Sequence, residues 1–436
     1  MTISHHPYTI NEKGHLTIGG IDTLELAKTY GTPLYVYDVD IIRKNCQTFI
    51  QAFNNLGVKG QVAYASKAFS SIAMVQIIQE EGLNLDVVSK GELYTAIKAG
   101  FPTENIHLHG NNKSLAELKM ALDYEIGCIV IDNFYEIELL NQLLQEKKQR
   151  MDVLIRVTPG IQSETHHYIM TGNEDSKFGF NLTNGQAEKA FQQLMHSEFI
   201  NFKGIHAHIG SQIFETDKYE KTIDVLFQHL EKWQNLYDYT PEVVNLGGGF
   251  GIVYTKDDQL IPYESFIEKM VGNVQAHINR LNMAMPEIWI EPGRSIVGNA
   301  GITLYTIGSM KDIPNVRQYI SVDGGMTDNL RPALYNAKYD AMIANKANEK
   351  TTTKVSVAGK CCESGDMLIW DLLTPKVEHG DILAVFSTGA YGYSMANHYN
   401  RFAKPAVVFV ENGTHQKVIE RETYKDVVRN DLFYNK

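Results

Sequence analysis

The sequence predicts an α/β chain: a (β/α)8 barrel of the TIM-barrel class followed by a β-rich domain. Two observations carry this. First, eight short apolar runs, at 61–66, 83–88, 106–109, 127–131, 153–157, 204–208, 243–246 and 287–290, alternate with segments of helix length. β-Branched runs alternating with helices imply a parallel sheet, and eight such units close into a barrel. A doubly wound open sheet is the alternative, though it is usually built from fewer strands. Second, the alternation stops after Ile290. Strand-like runs at 302–307, 319–322, 354–358, 382–386 and 406–410 follow, broken by glycines and polar turns. The domains expected are therefore an N-terminal segment, 1–37, packing with the C-terminal part; a barrel over 38–299; and a β-rich domain over 300–436.

In chain order, residues 8–18 read as an entry strand and turn. A short helix over 21–30 follows, with Asp22 as its N-cap. Gly31-Thr32-Pro33 ends it, and 34–37 is extended. Ile41, Ile42, Cys46, Phe49, Ile50 and Phe53 recur at helical spacing across 38–56. Further helices are expected at 71–80, 92–99, 114–123, 134–145, 186–196, 219–236 and 263–281. Residues 162–173 form a long loop whose His166 and His167 do not resemble a zinc motif. Residues 345–354 are polar and charged and read as an exposed loop.

Composition narrows the class. Of 436 residues, 44% are hydrophobic and 21% charged, as in a soluble globular protein. A net charge of -11 without a basic stripe argues against a nucleic-acid binder. The first twenty residues lack the apolar core of a signal peptide, and no apolar run is long enough to span a bilayer. Cys46, Cys128, Cys361 and Cys362 make neither a disulfide scaffold nor a zinc spacing. The cytoplasm is the expected location, with no membrane, no nucleic acid and no metal.

Barrel active sites sit at the C-terminal ends of the strands. There the sequence deposits Lys67; Asp86, Ser89 and Glu92; His109; Arg156; His206, His208, Gly210 and Ser211; Gly247-Gly248-Gly249-Phe250-Gly251; and Glu291-Pro292-Gly293-Arg294. A lysine buried at a strand's lip loses proton affinity, and a neutral amine can attack an aldehyde; a snorkelling surface lysine is the other reading. The glycine triplet lets backbone N–H groups close on an anion, in the loop where barrels often hold phosphate. It is neither a dinucleotide fingerprint nor a P-loop. Glu291 at a strand's end suits the protonated ring nitrogen of pyridoxal phosphate, or else a salt bridge to Arg156 or Arg294. His206 and His208 face one side of a strand; they could form a metal pair, but no carboxylate or cysteine stands at ligand spacing in the sequence.

Taken together, Ala63-Tyr64-Ala65-Ser66-Lys67-Ala68, His109-Gly110-Asn111-Asn112-Lys113-Ser114, Asp175-Ser176-Lys177-Phe178-Gly179, His206-Ala207-His208-Ile209-Gly210-Ser211, the glycine triplet, Glu291-Pro292-Gly293-Arg294 and Cys362-Glu363-Ser364-Gly365-Asp366 resemble the pyridoxal-phosphate decarboxylases of the alanine-racemase-like barrel class. The resemblance runs over nearly the whole chain and is nearer to members that act on meso-diaminopimelate than to those that act on ornithine, arginine or lysine. It implies pyridoxal 5'-phosphate held covalently by Lys67, with Asp86, His208, Ser211, Gly248, Gly249, Glu291, Gly293, Arg294 and Tyr391 binding it. It implies Arg294, Arg331, Tyr335, Glu363 and Tyr391 as substrate residues and Cys362 as proton donor. It also implies a homodimer in which Cys362 and Glu363 come from the neighbouring subunit. A racemase or a non-catalytic pyridoxal-phosphate carrier remains open, although the full residue set favours a decarboxylase. One departure is the doubled cysteine. Successive residues of an extended segment face opposite ways, so one thiol should reach the cofactor. Cys362, next to Glu363, is the expected one, and Cys361 the buried neighbour.

Overall fold

The structure, a computed structural model, describes residues 6–160 and 175–434. The expected loop at 162–173, with His166 and His167, lies outside the described residues. The chain divides into two compact units: 45–251 with 260–293, and 1–44 with 252–259 and 294–436. The dividing line at 44/45 runs through the helix Val39–Leu56. Among the described residues, no helix is long and apolar enough to cross a membrane.

The first unit is the barrel. Its strands are β1 (Gly60–Ala65), β2 (Asn84–Val87), β3 (Ile106–Leu108), β4 (Cys128–Ile131), β5 (Met151–Thr158), β6 (Ile200–His206), β7 (Val243–Asn245) and β8 (Glu287–Ile290). Each pairs in parallel with the next. β8 returns to β1, and β4 to β5, so the sheet is closed. The expected strands and helices are all present, with ends shifted by a few residues. Local chemistry fixes the helix starts: Ser71, Ser89, Ser114 and Asn133 each accept the N–H three residues on, satisfying donors that a helix leaves orphaned.

Inside the barrel, side chains alternate along each strand, so residues two apart share a face. Trp289 lies flat on His107 at 4.5 Å and 8°, and Trp289 packs with Cys128, Val130, Leu154 and Val243. Burial pushes the His107 imidazole down to about 3, so this layer is neutral. Two residues further along their strands come Glu291, His109 and Asn245. A polar layer therefore stands about 6.6 Å above an aromatic one, two strand steps away.

The second unit is β-rich. Its sheet runs Met367–Thr374, Thr353–Ala358, Arg317–Val322, Gly301–Ile313, Leu34–Asp38, Ala406–Glu411, Thr414–Ile419. Leu34–Asp38 pairs antiparallel with Gly301–Ile313 and parallel with Ala406–Glu411, so the N-terminal segment belongs to this sheet. Asp22 caps the helix Thr23–Tyr30 by accepting the Leu24 N–H at 2.9 Å. The expected exposed loop at 345–354 is partly pinned. Asn345 donates to Asp381 at 2.7 Å and accepts the Ile382 N–H, and Lys346 pairs with Asp381 at 2.8 Å. The strands at 367–374 and 414–419 were not expected: the second is largely polar and exposed, while the first is apolar but for Asp371 and Thr374, carries Trp370 and Leu373 on its exposed face, and was passed over.

One buried ion pair ties the loop after β3 to the first turn of the helix Phe134–Lys147. Lys113 Nζ lies 2.7 Å from Glu136 and donates to the carbonyls of Gly110 at 2.9 Å and Val130 at 2.6 Å. The lysine of the His109–Ser114 motif is thus a brace. Lys113→Met strands the Glu136 charge, and removing one partner of a buried pair costs about 3–5 kcal/mol. Urea unfolding should show the midpoint falling for Lys113→Met and recovering most of the loss in Lys113→Met/Glu136→Leu.

Candidate active site

Four barrel strands converge on Glu291. Its backbone N–H is tied to the Gly247 carbonyl at 2.9 Å, fixing the residue just past β8. One carboxylate oxygen accepts from Asn245 Nδ2 at 2.7 Å and lies 3.0 Å from His109 Nε2. The other is 3.1 Å from His206 Nε2. All four residues are buried. Burial alone would raise the acid, but the charges and hydrogen bonds of His109 and His206 outweigh it and hold Glu291 well below the usual carboxylate range. Glu291 is therefore an anion.

This answers the salt-bridge reading of Glu291 within the barrel: its partners are histidines and an amide. The Arg156 guanidinium instead stacks on Phe178 at 4.3 Å. It also corrects the spacing argument about metals. His109, His206 and Glu291 bring their ligand atoms within 4.8 Å of one another, a grouping that chain spacing could not reveal because the three come from different strands.

Asp86 lies 3.7 Å from His109 Nε2. Burial pushes it up to about 6, against the pull of His109 and with the push of Glu291. His208 lies beyond the end of β6, and its Nδ1 accepts the Gly248 N–H at 3.1 Å. Burial, then the cations Lys67 and Arg156, holds its imidazole well below the ordinary value, so it is a neutral ring. The glycine triplet is shaped by close approach. A Cβ on Gly248 would lie 2.1 Å from the Glu291 carbonyl oxygen, and Gly249, at φ +110°, would put one 2.7 Å from the Gly210 carbonyl oxygen. Gly293 packs on Ala65 and Ala68. Ser211 is half-buried just after Gly210.

Lys67 departs from expectation. β1 ends at Ala65, and Lys67 stands in the 3-10 turn Ser66–Ala68, where its side chain is exposed rather than buried. A residue in a turn past the strand's end is no longer walled in by neighbouring strands. Its charge still acts on Asp86, Glu92 and His208.

The β-rich unit carries a second cluster. Tyr254 Oη accepts from Arg294 and, at 3.0 Å, from Arg331; Arg331 also donates to Tyr339 Oη at 2.7 Å. The Tyr391 ring faces both guanidinium groups, at 4.9 and 5.8 Å. Tyr335 is half-buried at the end of the helix Arg331–Tyr335. Cys362 and Glu363 are exposed on a turn anchored by Asp366, which accepts the N–H groups of Met326 and Cys361 at 2.7 and 2.8 Å. Cys361 is half-buried; burial and then Asp366 push its thiol up to about 12. The structure thus brings Arg294, Arg331 and Tyr391 together but leaves Glu363 and Cys362 on the surface of the single chain.

Sequence reasoning passed over His206 and Asn245 as partners of Glu291, and over Tyr254 and Tyr339. For the barrel, the signal was available: counting two residues beyond the inward-facing His107, Val243 and Trp289 reaches His109, Asn245 and Glu291.

Residues 39–298 match the family model described as pyridoxal-dependent decarboxylase, pyridoxal binding domain, which defines the class. Over 418 residues the chain is 60% identical to the diaminopimelate decarboxylase of Bacillus methanolicus, covering 96% of this chain and 97% of that one. Over 422 residues it is 60% identical to that of Bacillus subtilis, covering 97% and 96%. The crystal structure of diaminopimelate decarboxylase from M. jannaschii in co-complex with L-lysine is similar with a TM-score of 0.92, at 33% identity over 99% of each chain. The chain belongs to the diaminopimelate decarboxylase family of pyridoxal-dependent enzymes.

The Asp86 carboxyl has a pH signature. Its folded-state value lies above the ordinary 3.8, so the folded chain prefers the protonated form. Ionising Asp86 therefore costs nothing below about pH 4 and reaches its full cost, up to about 3 kcal/mol, above about pH 6. Asp86→Asn should raise the urea midpoint of the cofactor-free protein at pH 7.5 and lose that advantage near pH 4.

Proposed function

We propose that this chain decarboxylates meso-2,6-diaminopimelate to L-lysine and carbon dioxide, using pyridoxal 5'-phosphate held by Lys67. Family membership supports the reaction, and the buried Glu291 anion is the single observation that carries the site. The residues fit the cofactor. An enclosed carboxylate suits a protonated pyridine nitrogen, and the bend at Gly248 and Gly249, which side chains would fill, suits a phosphate. When bound, the cofactor supplies an aldehyde for amines and a ring that draws electrons from the carbon losing carbon dioxide.

The chain's own residues have separate tasks. Glu291 keeps a proton on the ring nitrogen, and His109, His206 and Asn245 keep Glu291 ionised. His208, neutral, offers a flat face to the ring. Ser211, Gly249 and the Gly293-Arg294 backbone bind phosphate, with Tyr391 near it, and Gly248 and Asp86 support the cofactor. Lys67 Nζ anchors the cofactor and later releases the product. Cys362 Sγ delivers the proton that takes the place of carbon dioxide, so it must be a neutral thiol at that moment. Arg294 and Arg331, with Tyr335 and Tyr391, hold the carboxylate at the far end of the substrate, and Glu363 holds the ammonium there.

Specificity follows from those arginines. Both are buried, and a buried charge left without its partner costs about 2–5 kcal/mol. Ornithine or lysine, which lack the distal carboxylate when bound by the reacting amine, should be rejected by roughly thirtyfold or more.

The exposure of Cys362 and Glu363 supports the homodimer with shared sites: a proton donor must be covered when it acts, and a second copy would cover it. The four cysteines are free, and a working thiol belongs in a reducing compartment, which supports the cytoplasm.

Incubation of the holoenzyme with meso-diaminopimelate should release carbon dioxide and L-lysine in equal amounts. Binding of pyridoxal phosphate without turnover would leave a carrier. Cys362→Ala should lower kcat about 10²–10⁴-fold while Cys361→Ala stays active; the reverse would overturn the assignment. Glu291→Gln should lower kcat by about two to three orders of magnitude. Mixing inactive Lys67→Ala with inactive Cys362→Ala should restore part of the activity if sites are shared, because one hybrid site keeps both native residues.

A further inference from the structure

Two buried guanidinium groups meet on one phenolic oxygen. Arg294 and Arg331 both donate to Tyr254 Oη, and all three residues are buried. A phenol has two lone pairs and one O–H. Here both lone pairs are occupied by the arginines, while among the described residues the Tyr254 O–H has no acceptor. Arg331 also donates to Tyr339, and no carboxylate pairs with it among the described residues. Tyr391, Tyr339 and Tyr254 surround the pair with aromatic faces, which tolerate a cation without neutralising it. Arg331 thus keeps a buried positive charge beside an O–H still to give, which is the complement of a carboxylate.

We propose that Tyr254 is a specificity-determining residue: its oxygen holds Arg294 and Arg331 on one point, and its O–H is the third donor to the carboxylate at the substrate's far end. This rests on the reading of Arg294 and Arg331 as carboxylate binders given above. The acidity of Tyr254 runs the same way. Burial raises the phenol, yet the two guanidinium groups outweigh it and hold it below its ordinary value, and a more acidic O–H is a stronger donor to an anion. The tyrosine is held in place independently of its hydroxyl, by edge-on packing against Tyr339 at 5.3 Å and by backbone N–H groups of Tyr254 and Thr255 donating to Asp258, both at 2.9 Å. Phenylalanine can therefore fill the same space.

The test uses two inhibitors of the holoenzyme. L-Lysine keeps the distal carboxylate; 1,5-diaminopentane has the same amines and no carboxylate. In Tyr254→Phe, losing a hydrogen bond to a charged group should raise the KM for meso-diaminopimelate and the inhibition constant of L-lysine by about tenfold or more. It should leave kcat and the inhibition constant of 1,5-diaminopentane within about twofold. Equal weakening of both inhibitors means a merely structural tyrosine and overturns the proposal, as does no change in either. Arg331→Met is the control. If it too leaves the preference for L-lysine over 1,5-diaminopentane unchanged, the arginine reading itself fails; if it abolishes the preference while Tyr254→Phe does not, only the role of Tyr254 falls.

Discussion

A carboxylate kept ionised out of water is the constraint around which the barrel is arranged. An isolated buried anion would take up a proton or unfold its surroundings, since desolvation disfavours the charged form. Glu291 avoids both because three other strand ends reach it: His109 after β3, His206 at the end of β6 and Asn245 at the end of β7. That demands a closed sheet, because β3 and β7 are far apart in the chain and can face each other only across a barrel. It also demands a fixed register. A slip of one residue on any strand would turn its contribution outward, and the stack of Trp289 on His107 one layer below locks two of those registers.

The barrel was legible because its signal is repetitive. Eight apolar runs with helices between them leave few other topologies, and serine or asparagine caps mark the helix starts. The residues that end each strand were legible as a list, and Glu291 stood out because a lone carboxylate follows an apolar strand. Its neighbours were not: proximity across a barrel depends on closure and register, and neither is written in any one segment. The exposure of Lys67 was missed for a different reason. The lysine was placed at the lip of the strand, but the strand ends at Ala65 and the 3-10 turn Ser66–Ala68 leaves its side chain exposed. In the β-rich unit the edge strand Thr414–Ile419 carries polar residues on an open face, which apolar patterning could not find; Met367–Thr374 exposes Trp370 and Leu373 instead, so it lacks the alternation of a half-buried strand.

The two clusters use opposite means to keep charge underground. In the barrel, an anion is balanced by histidines and an amide, donors whose geometry is set by strand ends. In the β-rich unit, two cations share one phenol and are walled by aromatic rings. Cys361 and Asp366 show a third device. A thiol kept protonated sits beside a carboxylate occupied with backbone N–H groups, and that carboxylate fixes the turn from which Cys362 emerges.

The position of Leu34–Asp38 in its sheet has a consequence for how the molecule is made. This strand leaves the ribosome among the first, yet both of its neighbours, Gly301–Ile313 and Ala406–Glu411, come from the last third of the chain. Throughout synthesis of the barrel, a segment whose five residues are all buried in the finished fold waits with both edges bare, the state in which β-strands recruit the wrong partner. A polypeptide released before residue 406 would carry that open edge permanently, so premature termination late in translation yields a sticky fragment rather than a shortened enzyme.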